Sequence, residues 1–266
     1  MNRGTIFRLA LAALALTAVQ CAVLLQFDWF GPAASEERPP IDTLFDVMIV
    51  LSSLVFAIVM VAFVYAIWKW RAKPGDESDG EPIHGNTKLE IAWTIIPTII
   101  VLFAAGYSWV VLDDIEAKAD DRMPLHVTSQ QFAWTFEYPE IEVNGAPLKT
   151  TELHVPVDRQ LEITVEALDV IHSFWVPEWG IKRDAVPVGV SGDEVDDEFV
   201  VTPNEEGTYS LVCTELCGLG HATMRATVVV ESQEEFDQWV QEQQSAASGA
   251  AGSGQDGGAS GAGNGT

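Results

Sequence analysis

Residues 213–224 read CTELCGLGHATM, and four of their side chains can bind a metal: Cys213, Cys217, His221 and Met224. The segments immediately before and after this stretch have the residue pattern of β-strands. The four side chains are therefore expected on a loop that joins two strands, where the end of a sheet can hold a metal site in a fixed geometry.

The two strands belong to a region of short alternating segments that begins at about residue 123. In residues 161–167 apolar and polar side chains alternate strictly, as in a half-buried strand. Asn144-Gly145 and Glu206-Gly207 mark turns between segments. Short strands separated by turns predict an all-β sandwich or barrel. The predicted strands are 125–128, 132–138, 161–167, 174–176, 199–202, 208–212 and 225–230.

The end of the chain follows a different pattern. Ser232 is followed three residues later by Glu235, a capping box that predicts the start of a short helix. From Ser245 onward the chain is almost entirely glycine, alanine and serine, so the tail 245–266 is predicted to be disordered.

Three apolar runs precede the β region, at 9–27, 44–68 and 91–112. Each is close to or above the roughly 20 residues that a helix needs to cross a bilayer. Basic residues concentrate in the loop between the second and third runs, which places that loop in the cytoplasm and everything after residue 112 outside. The first run is either a signal peptide or a retained span.

The chain combines 48% hydrophobic residues with a net charge of −25. Such acidity excludes a nucleic-acid partner, because binding to phosphates requires a basic surface. The acidic residues are spread over the outer region rather than gathered in one patch. We interpret them as a solvated surface adapted to high salt, with a docking face for a basic partner as the alternative.

Several kinds of site can use two cysteines, a histidine and a methionine. A disulfide between Cys213 and Cys217 leaves the other two side chains unexplained, and zinc rarely accepts a thioether. A mononuclear blue-copper site takes one cysteine, two histidines and a weakly bound methionine, which leaves a cysteine over. A binuclear copper centre uses both cysteines, but it needs a second histidine. Of His84, His126, His154 and His172, the last lies at a loop-to-strand junction and is the best candidate.

Four motifs together resemble subunit II of the haem–copper cytochrome c oxidases: NTKLEIAWTIIP at 86–97, DVIHSFWVP at 169–177, IKRDAVP at 181–187 and CTELCGLGHATM at 213–224. The resemblance extends in order from about residue 45 to 231. It implies a membrane α plus all-β fold, in which an N-terminal transmembrane helical hairpin is followed by a cupredoxin-like β sandwich. The expected boundaries are 1–42 for a signal peptide or extra helix with its linker, 43–113 for the hairpin, 114–244 for the copper domain and 245–266 for the tail.

The resemblance also implies a ligand set for the binuclear copper centre called CuA. Cys213 and Cys217 correspond to bridging thiolates, His172 and His221 to nitrogen ligands, and Met224 to a weak sulfur ligand. The backbone carbonyl of Glu215 completes the set. The carboxylate of Glu215 corresponds to a ligand for magnesium or manganese at the border with subunit I.

Two further residues have counterparts in the family. The family pattern Gln-Trp-Tyr-Trp, whose first tryptophan receives the electron, is here Gln131-Phe132-Ala133-Trp134. Trp134 matches the second tryptophan, so it is a candidate for electron uptake, with a plain core role as the alternative. Glu90 corresponds to a glutamate at the mouth of a proton-uptake path, although an acid at a helix N-terminus is also stabilised by the helix dipole.

The resemblance implies a subunit of a terminal oxidase in the cell membrane, with its copper domain on the extracytoplasmic side. The chain would accept electrons from cytochrome c or a small blue-copper protein and pass them to haem in subunit I, beside a subunit III. There oxygen is reduced to water, coupled to proton translocation. The alternatives are a copper-free quinol oxidase subunit II, which the complete ligand set opposes, and a membrane-tethered copper carrier, which Glu90 and Glu215 oppose.

Overall fold

The computed structural model describes residues 2–72, 74–75, 82, 84–187 and 198–253, with side chains described up to residue 248. The chain divides into two compact units. The first comprises Met1–Trp29 and Pro40–Asp114, and the second comprises Phe30–Pro39 and Ile115–Thr266. The predicted outer region thus includes a short segment that precedes the second apolar run.

Three helices in the described part of the chain are long and apolar enough to cross a membrane: α1 (Arg3–Leu24), α2 (Arg38–Trp70) and α3 (Thr87–Ile115). At 33 residues, α2 is about 50 Å long, well above the roughly 30 Å of a bilayer core. Pro39 and Pro40 lie in its first turn, where a missing N–H leaves no helix hydrogen bond broken. Most side chains of α1 and α3 are exposed, and nearly all of those of α2 are exposed or partly exposed, as expected of surfaces that contact lipid or other subunits.

The second unit is a β domain built around a five-stranded sheet, in the order β3-β2-β1-β5-β8. A three-stranded sheet has the order β4-β10-β9, and β6 forms a hairpin with β7. In the large sheet β1 pairs in parallel with β5 and antiparallel with β2. The strands are β1 (Met123–Gln130), β2 (Ala133–Val143), β3 (Ala146–Thr150), β4 (Leu153–Pro156), β5 (Leu161–Ala167), β6 (His172–Trp175), β7 (Lys182–Ala185), β8 (Glu198–Val201), β9 (Gly207–Val212) and β10 (Arg225–Glu231).

The core of the β domain is formed by the inward side chains of these sheets. In β5, Leu161, Ile163, Val165 and Ala167 are buried and the residues between them are only partly covered, so the predicted alternation is confirmed. Cys213, Cys217 and Met224 belong to the same buried cluster. The metal-binding loop therefore rests on the end of the hydrophobic core rather than projecting from it.

The segment 30–39 is bound into the β domain. The Ala34 amide donates to the carbonyl of Glu178 at 2.9 Å, and the Glu36 amide donates to that of Thr202 at 3.0 Å. The Arg38 guanidinium is 1% exposed and donates to the carbonyls of Pro177 and Gly31. Sequence alone placed these residues in a linker, whereas the structure makes them part of the domain.

The helix α4 (Gln233–Ser253) follows β10 and packs against β2 and β4. Its capping box is present: the Ser232 hydroxyl donates to Glu235 at 2.8 Å, and the Glu235 amide donates back at 3.3 Å. The helix continues past Ser245, where the sequence predicts the tail to begin. Several alanines between 246 and 251 favour helix and explain the difference.

Candidate metal centre

Strand ends bring the predicted ligands together. His172 is the first residue of β6, Cys213 directly follows β9, and Met224 directly precedes β10. Because β9 and β10 are paired, the Cys213 amide donates to the Met224 carbonyl at 3.1 Å and closes the loop at its base. The Thr214 amide donates to the Ser173 carbonyl at 3.1 Å, which ties the loop to β6.

The ligand atoms converge in one cluster. The two cysteine sulfurs are 3.9 Å apart, too far for a disulfide bond. The Nδ1 atom of His172 is 3.9 Å from the sulfur of Cys213, and Nδ1 of His221 is 3.7 Å from that of Cys217. The Met224 sulfur is 3.8 Å from the Cys217 sulfur. Each imidazole thus faces a different sulfur of one shared pair.

The backbone carbonyl of Glu215 also reaches the cluster, 3.3 Å from the sulfur of Cys213. The Glu215 side chain is exposed on the loop. The same residue therefore presents its carbonyl oxygen to the cluster while its carboxylate remains accessible.

Four of the five ligand side chains are shielded from water: His172 and Met224 are 0% exposed, and the two cysteines are 3% exposed. His221 is partly exposed. Burial, together with the neighbouring Cys213, raises the pKa of Cys217 to about 11. The thiol form is thus favoured unless a cation is present to stabilise the thiolate. A metal site of this kind binds its ion with release of protons.

Asp169 orients His172 from behind. Its carboxylate accepts a hydrogen bond from Nε2 of His172 at 2.9 Å, from the Val170 amide at 2.7 Å and from the Gln131 amide at 2.7 Å. Burial alone would raise the pKa of Asp169, but these hydrogen bonds together lower it. With Nε2 occupied, Nδ1 is the nitrogen that faces the cluster, a common arrangement behind metal-binding histidines.

Gln131 connects this support to the metal-binding loop. Its backbone amide binds Asp169, and its side-chain amide donates to the carbonyl of Cys217. Sequence reasoning did not assign either residue a role at the site. The position of Asp169 three residues before His172 is the only sequence signal that could have indicated one.

The donor set fits copper. Two thiolates, two imidazoles and a thioether are soft ligands, which copper accepts and which magnesium or calcium does not. A mononuclear blue-copper site would leave one cysteine unused, whereas both sulfurs here are buried in the centre of the cluster. The donors therefore fit a copper site of the CuA type, which would leave no sulfur unused.

Comparison with known proteins agrees with this reading. The family profile described as "Cytochrome C oxidase subunit II, transmembrane domain" matches residues 22–111, and the profile for the periplasmic domain of the same subunit matches residues 143–233. Cytochrome c oxidase subunit 2 of Thermostichus vulcanus is 31% identical, over 87% of this chain and 85% of the relative. The chain belongs to the cytochrome c oxidase subunit II family.

Other members of the family are similar to a comparable degree. Cytochrome c oxidase subunit 2 of Cereibacter sphaeroides is 29% identical, over 80% of this chain and 79% of the relative. The solved periplasmic domain of subunit II from Bradyrhizobium japonicum is 28% identical and covers 49% of this chain and 98% of its own length, with a TM-score of 0.42.

Membership of the family confirms the resemblance seen in the sequence. The chain is a membrane protein whose transmembrane helices are followed by a cupredoxin-like β domain on the periplasmic side. It is a subunit of a cytochrome c oxidase complex, carries a CuA-type ligand set and transfers electrons to subunit I.

The remaining histidines have other surroundings. The ring of His154 stacks on Trp239 with centroids 4.3 Å apart, and its Nδ1 lies 3.2 Å from a carboxylate oxygen of Glu231. His126 is exposed on β1, and His84 is exposed before α3. His172 lies in the cluster with His221, at the loop-to-strand junction where the sequence placed it.

Phe132 and Trp134 are two positions apart in the sequence, but one is partly exposed and the other is buried. Trp134 is 2% exposed and lies edge-on to His172, with ring centroids 6.2 Å apart. Phe132 is 39% exposed and lies over the metal-binding loop. A protein that docks from outside can reach Phe132, but it cannot reach Trp134.

Glu90 lies in the first turn of α3, as predicted. Its carboxylate accepts a hydrogen bond from the Asn86 amide at 3.0 Å, and the Asn86 side chain accepts one from the Leu89 amide at 3.2 Å. Glu90 therefore takes part in a reciprocal cap of the helix start. This local role is compatible with a further role in proton transfer.

Proposed function

We propose that this chain holds a binuclear copper centre on Cys213, Cys217, His172, His221 and Met224, with the backbone carbonyl of Glu215. The number of donors carries the proposal: six groups converge on the two sulfurs, more than a tetrahedral zinc site or a mononuclear blue-copper site uses. These residues would hold a copper pair, which would supply one-electron transfer.

The residues around the centre restrict its movement. Ligands fixed at the ends of β6, β9 and β10 cannot relax far when the charge of the site changes. The core excludes water from the sulfurs, and Asp169 holds the His172 ring in one orientation. A site that rearranges little on gaining an electron exchanges electrons quickly, as a relay to haem in subunit I requires.

The electron donor in this proposal is a c-type cytochrome or a small blue-copper protein on the periplasmic side. Because Trp134 is buried, its part is to pack against His172 and provide an inner contact on the electron route. The exposed position that the family gives to its first tryptophan is occupied by Phe132.

We further propose roles for two glutamates beside subunit I. The exposed carboxylate of Glu215 would bind magnesium or manganese at that border. Glu90, at the cytoplasmic start of α3, would supply protons to subunit I. In manganese-grown cells, Glu215→Gln should remove the Mn²⁺ resonance of the complex, and Glu90→Gln should lower the rate of proton uptake.

The acidic surface is proposed to be an adaptation to high salt. With a net charge of −25, self-repulsion destabilises the folded chain at low ionic strength. Raising the salt to about 1 M shortens the Debye length to about 3 Å and should raise the melting temperature. A melting temperature that is unchanged or falls over this range would contradict the adaptation.

Metal content and spectrum test the copper centre directly. Subunit II separated from the purified oxidase should contain two copper ions per chain, and its paramagnetic resonance should be that of one unpaired electron shared by both. Cys217→Ser should abolish this signal. Cys21→Ser, which changes the remaining cysteine on α1, is the matched control and should preserve it. One copper per chain, or a blue mononuclear spectrum, would overturn the assignment.

A further inference from the structure

The metal centre is held by two separate parts of the β domain. His172 faces the sulfur of Cys213, whereas His221 faces the sulfur of Cys217 within the metal-binding loop, residues 213–224. The first pair is fixed by strands, because His172 begins β6 and Cys213 directly follows β9. The second pair belongs to the middle of the loop, outside the strands. Its position therefore depends on what holds the loop in place.

One hydrogen bond ties the middle of the loop to the rest of the described β domain. The backbone–backbone hydrogen bonds of residues 215–223 all stay within the loop. From outside, the side-chain amide of Gln131 donates to the carbonyl of Cys217. The half of the centre that contains Cys217 and His221 thus has a single polar tether to the described part of the domain.

Gln131 is itself joined to the other half of the centre. Its backbone amide donates to the carboxylate of Asp169 at 2.7 Å, and the same carboxylate accepts a hydrogen bond from Nε2 of His172 at 2.9 Å. Gln131 lies in the two-residue connection between the paired strands β1 and β2, which leaves its backbone little freedom. A continuous series of contacts therefore runs from His172 through Asp169 and Gln131 to Cys217.

The loop is shaped to receive the Gln131 side chain. Gly218 has a φ of +132°, a backbone conformation that residues with a side chain rarely adopt. A Cβ atom at this position would lie 2.8 Å from Nε2 of Gln131 and 3.3 Å from two carbon atoms of the Phe132 ring. Because Gly218 has no side chain, the Gln131 amide can reach the carbonyl of the residue before it, Cys217.

Water competes for this hydrogen bond, and that decides how its effect has to be measured. Gln131 is exposed as a whole, whereas Cys217 is 3% exposed. The strands that form the core do not depend on the tether. Loss of the tether should therefore change the position of the loop more than the stability of the domain.

We propose that Gln131 is a positioning residue that holds the Cys217–His221 half of the metal centre in a fixed place relative to the His172–Cys213 half. It acts through the backbone of Cys217 and is not a ligand. The inference rests on the copper centre proposed above and adds a residue that sets its geometry. Two copper ions would share an unpaired electron equally only when their surroundings match, so a shift of one half would make the sharing unequal.

Two substitutions remove the donor and keep the length of the side chain. Gln131→Met has no hydrogen to donate, and Gln131→Glu places a carboxylate oxygen against the carbonyl of Cys217, which it repels. Gln130→Met and Gln130→Glu change the preceding residue, which is exposed at the end of β1. They are the matched controls for the loss of an amide and for the added charge. Each variant is studied as full-length subunit II separated from the purified oxidase.

The first readout is the state of the loaded centre. Both Gln131 variants should retain two copper ions, but the hyperfine splittings from the two ions should become unequal in the paramagnetic resonance. Copper affinity, measured by competition with a chelator, should fall about tenfold, as for other changes behind metal ligands, and further in Gln131→Glu than in Gln131→Met. The Gln130 variants should keep the wild-type spectrum and affinity.

The second readout needs no metal. In a Cys21→Ser background, Cys213 and Cys217 are the only cysteines that can react with a thiol reagent. In the reduced, metal-free chain these thiols should react several-fold faster when Gln131 is replaced, because the untethered loop opens more often. The melting temperature of the same variants should stay within about 3 °C of the parent, as expected when the core is unchanged.

Wild-type hyperfine splittings and copper affinity in both Gln131 variants would overturn the proposal. Equal effects in the Gln130 controls would overturn it as well. A fall in melting temperature of more than about 5 °C would assign Gln131 to the support of the whole fold instead of the site. Failure of the copper centre itself is distinguishable, since the unsubstituted chain would then lack two copper ions and a shared electron.

Discussion

The carboxylate of Asp169 is expected to set the copper affinity of the centre without touching the metal. Asp169→Asn retains one acceptor oxygen but replaces the other with an amide group, which cannot accept the hydrogen bond from the Gln131 amide. It also removes the negative charge behind His172. Hydrogen bonds to charged groups contribute about 1.5–3 kcal/mol each, and second-layer changes lower metal affinity by about 10–100-fold.

We therefore expect Asp169→Asn to weaken copper binding by about 30-fold, or about 2 kcal/mol at about 1.4 kcal/mol per factor of ten. The measurement is a competition titration of the purified complex against a copper chelator. The reduction potential should rise, because removal of a nearby negative charge favours the reduced centre.

Asp237→Asn is the control for the loss of one carboxylate. Asp237 lies on α4, and its carboxylate accepts a hydrogen bond from Gln233 there. The Asp237→Asn variant should leave the copper affinity and the reduction potential unchanged. If Asp169→Asn has the affinity and potential of the wild type, then the orientation of His172 does not depend on Asp169, and the reasoning fails.

Three further changes test the packing around the site and the fold that supports it. Gly220→Ala should lower the free energy of unfolding by about 1–3 kcal/mol through its clash with Phe132, and Phe132→Ala in the same chain should recover most of that loss in a thermal melt. Arg38→Ala should lower the melting temperature by about 5 °C or more, because two carbonyls lose a charged donor; Arg8→Ala, outside the β domain, should not. Burial raises the pKa of Tyr138 above the ordinary tyrosine value of about 10. Above that pH the Tyr138 hydroxyl ionises in the unfolded chain but stays neutral in the folded chain, so the free energy of unfolding should fall as pH rises. Urea titrations of the wild type and of Tyr138→Phe, at pH values below and above the ordinary tyrosine pKa, should show a smaller loss of unfolding free energy in the variant.

The strands that could be predicted from the sequence are those in which apolar and polar residues alternate, as in a half-buried sheet. The segment 161–167 alternates strictly and forms β5 over the same residues. By contrast, β7 consists of Lys-Arg-Asp-Ala, which has no apolar alternation, and it exists because it pairs with β6. Strand β4 is four residues long and ends in proline. Such strands depend on their neighbours and not on local preference.

The same distinction applies to the site. Four ligand side chains are close in sequence, so their spacing alone indicated a metal, and His172 was found by its position and by resemblance. The support from Gln131 and Asp169 joins residues 38 positions apart and follows only from the way β1 and β5 pair. The place of Phe132 over Gly220 likewise depends on the loop's path, which no local pattern specifies.

The embedding of residues 30–39 in the β domain constrains the route of the chain through the bilayer. Ala34 and Glu36 precede α2, yet they are hydrogen-bonded to Glu178 and Thr202, which follow α3. Both ends of the helical pair must then emerge on one side, independently of where the lysines and arginines lie. During biosynthesis the β domain can close only after the chain has passed through both helices, because residues 30–39 must wait until Glu178 and Thr202 have been made.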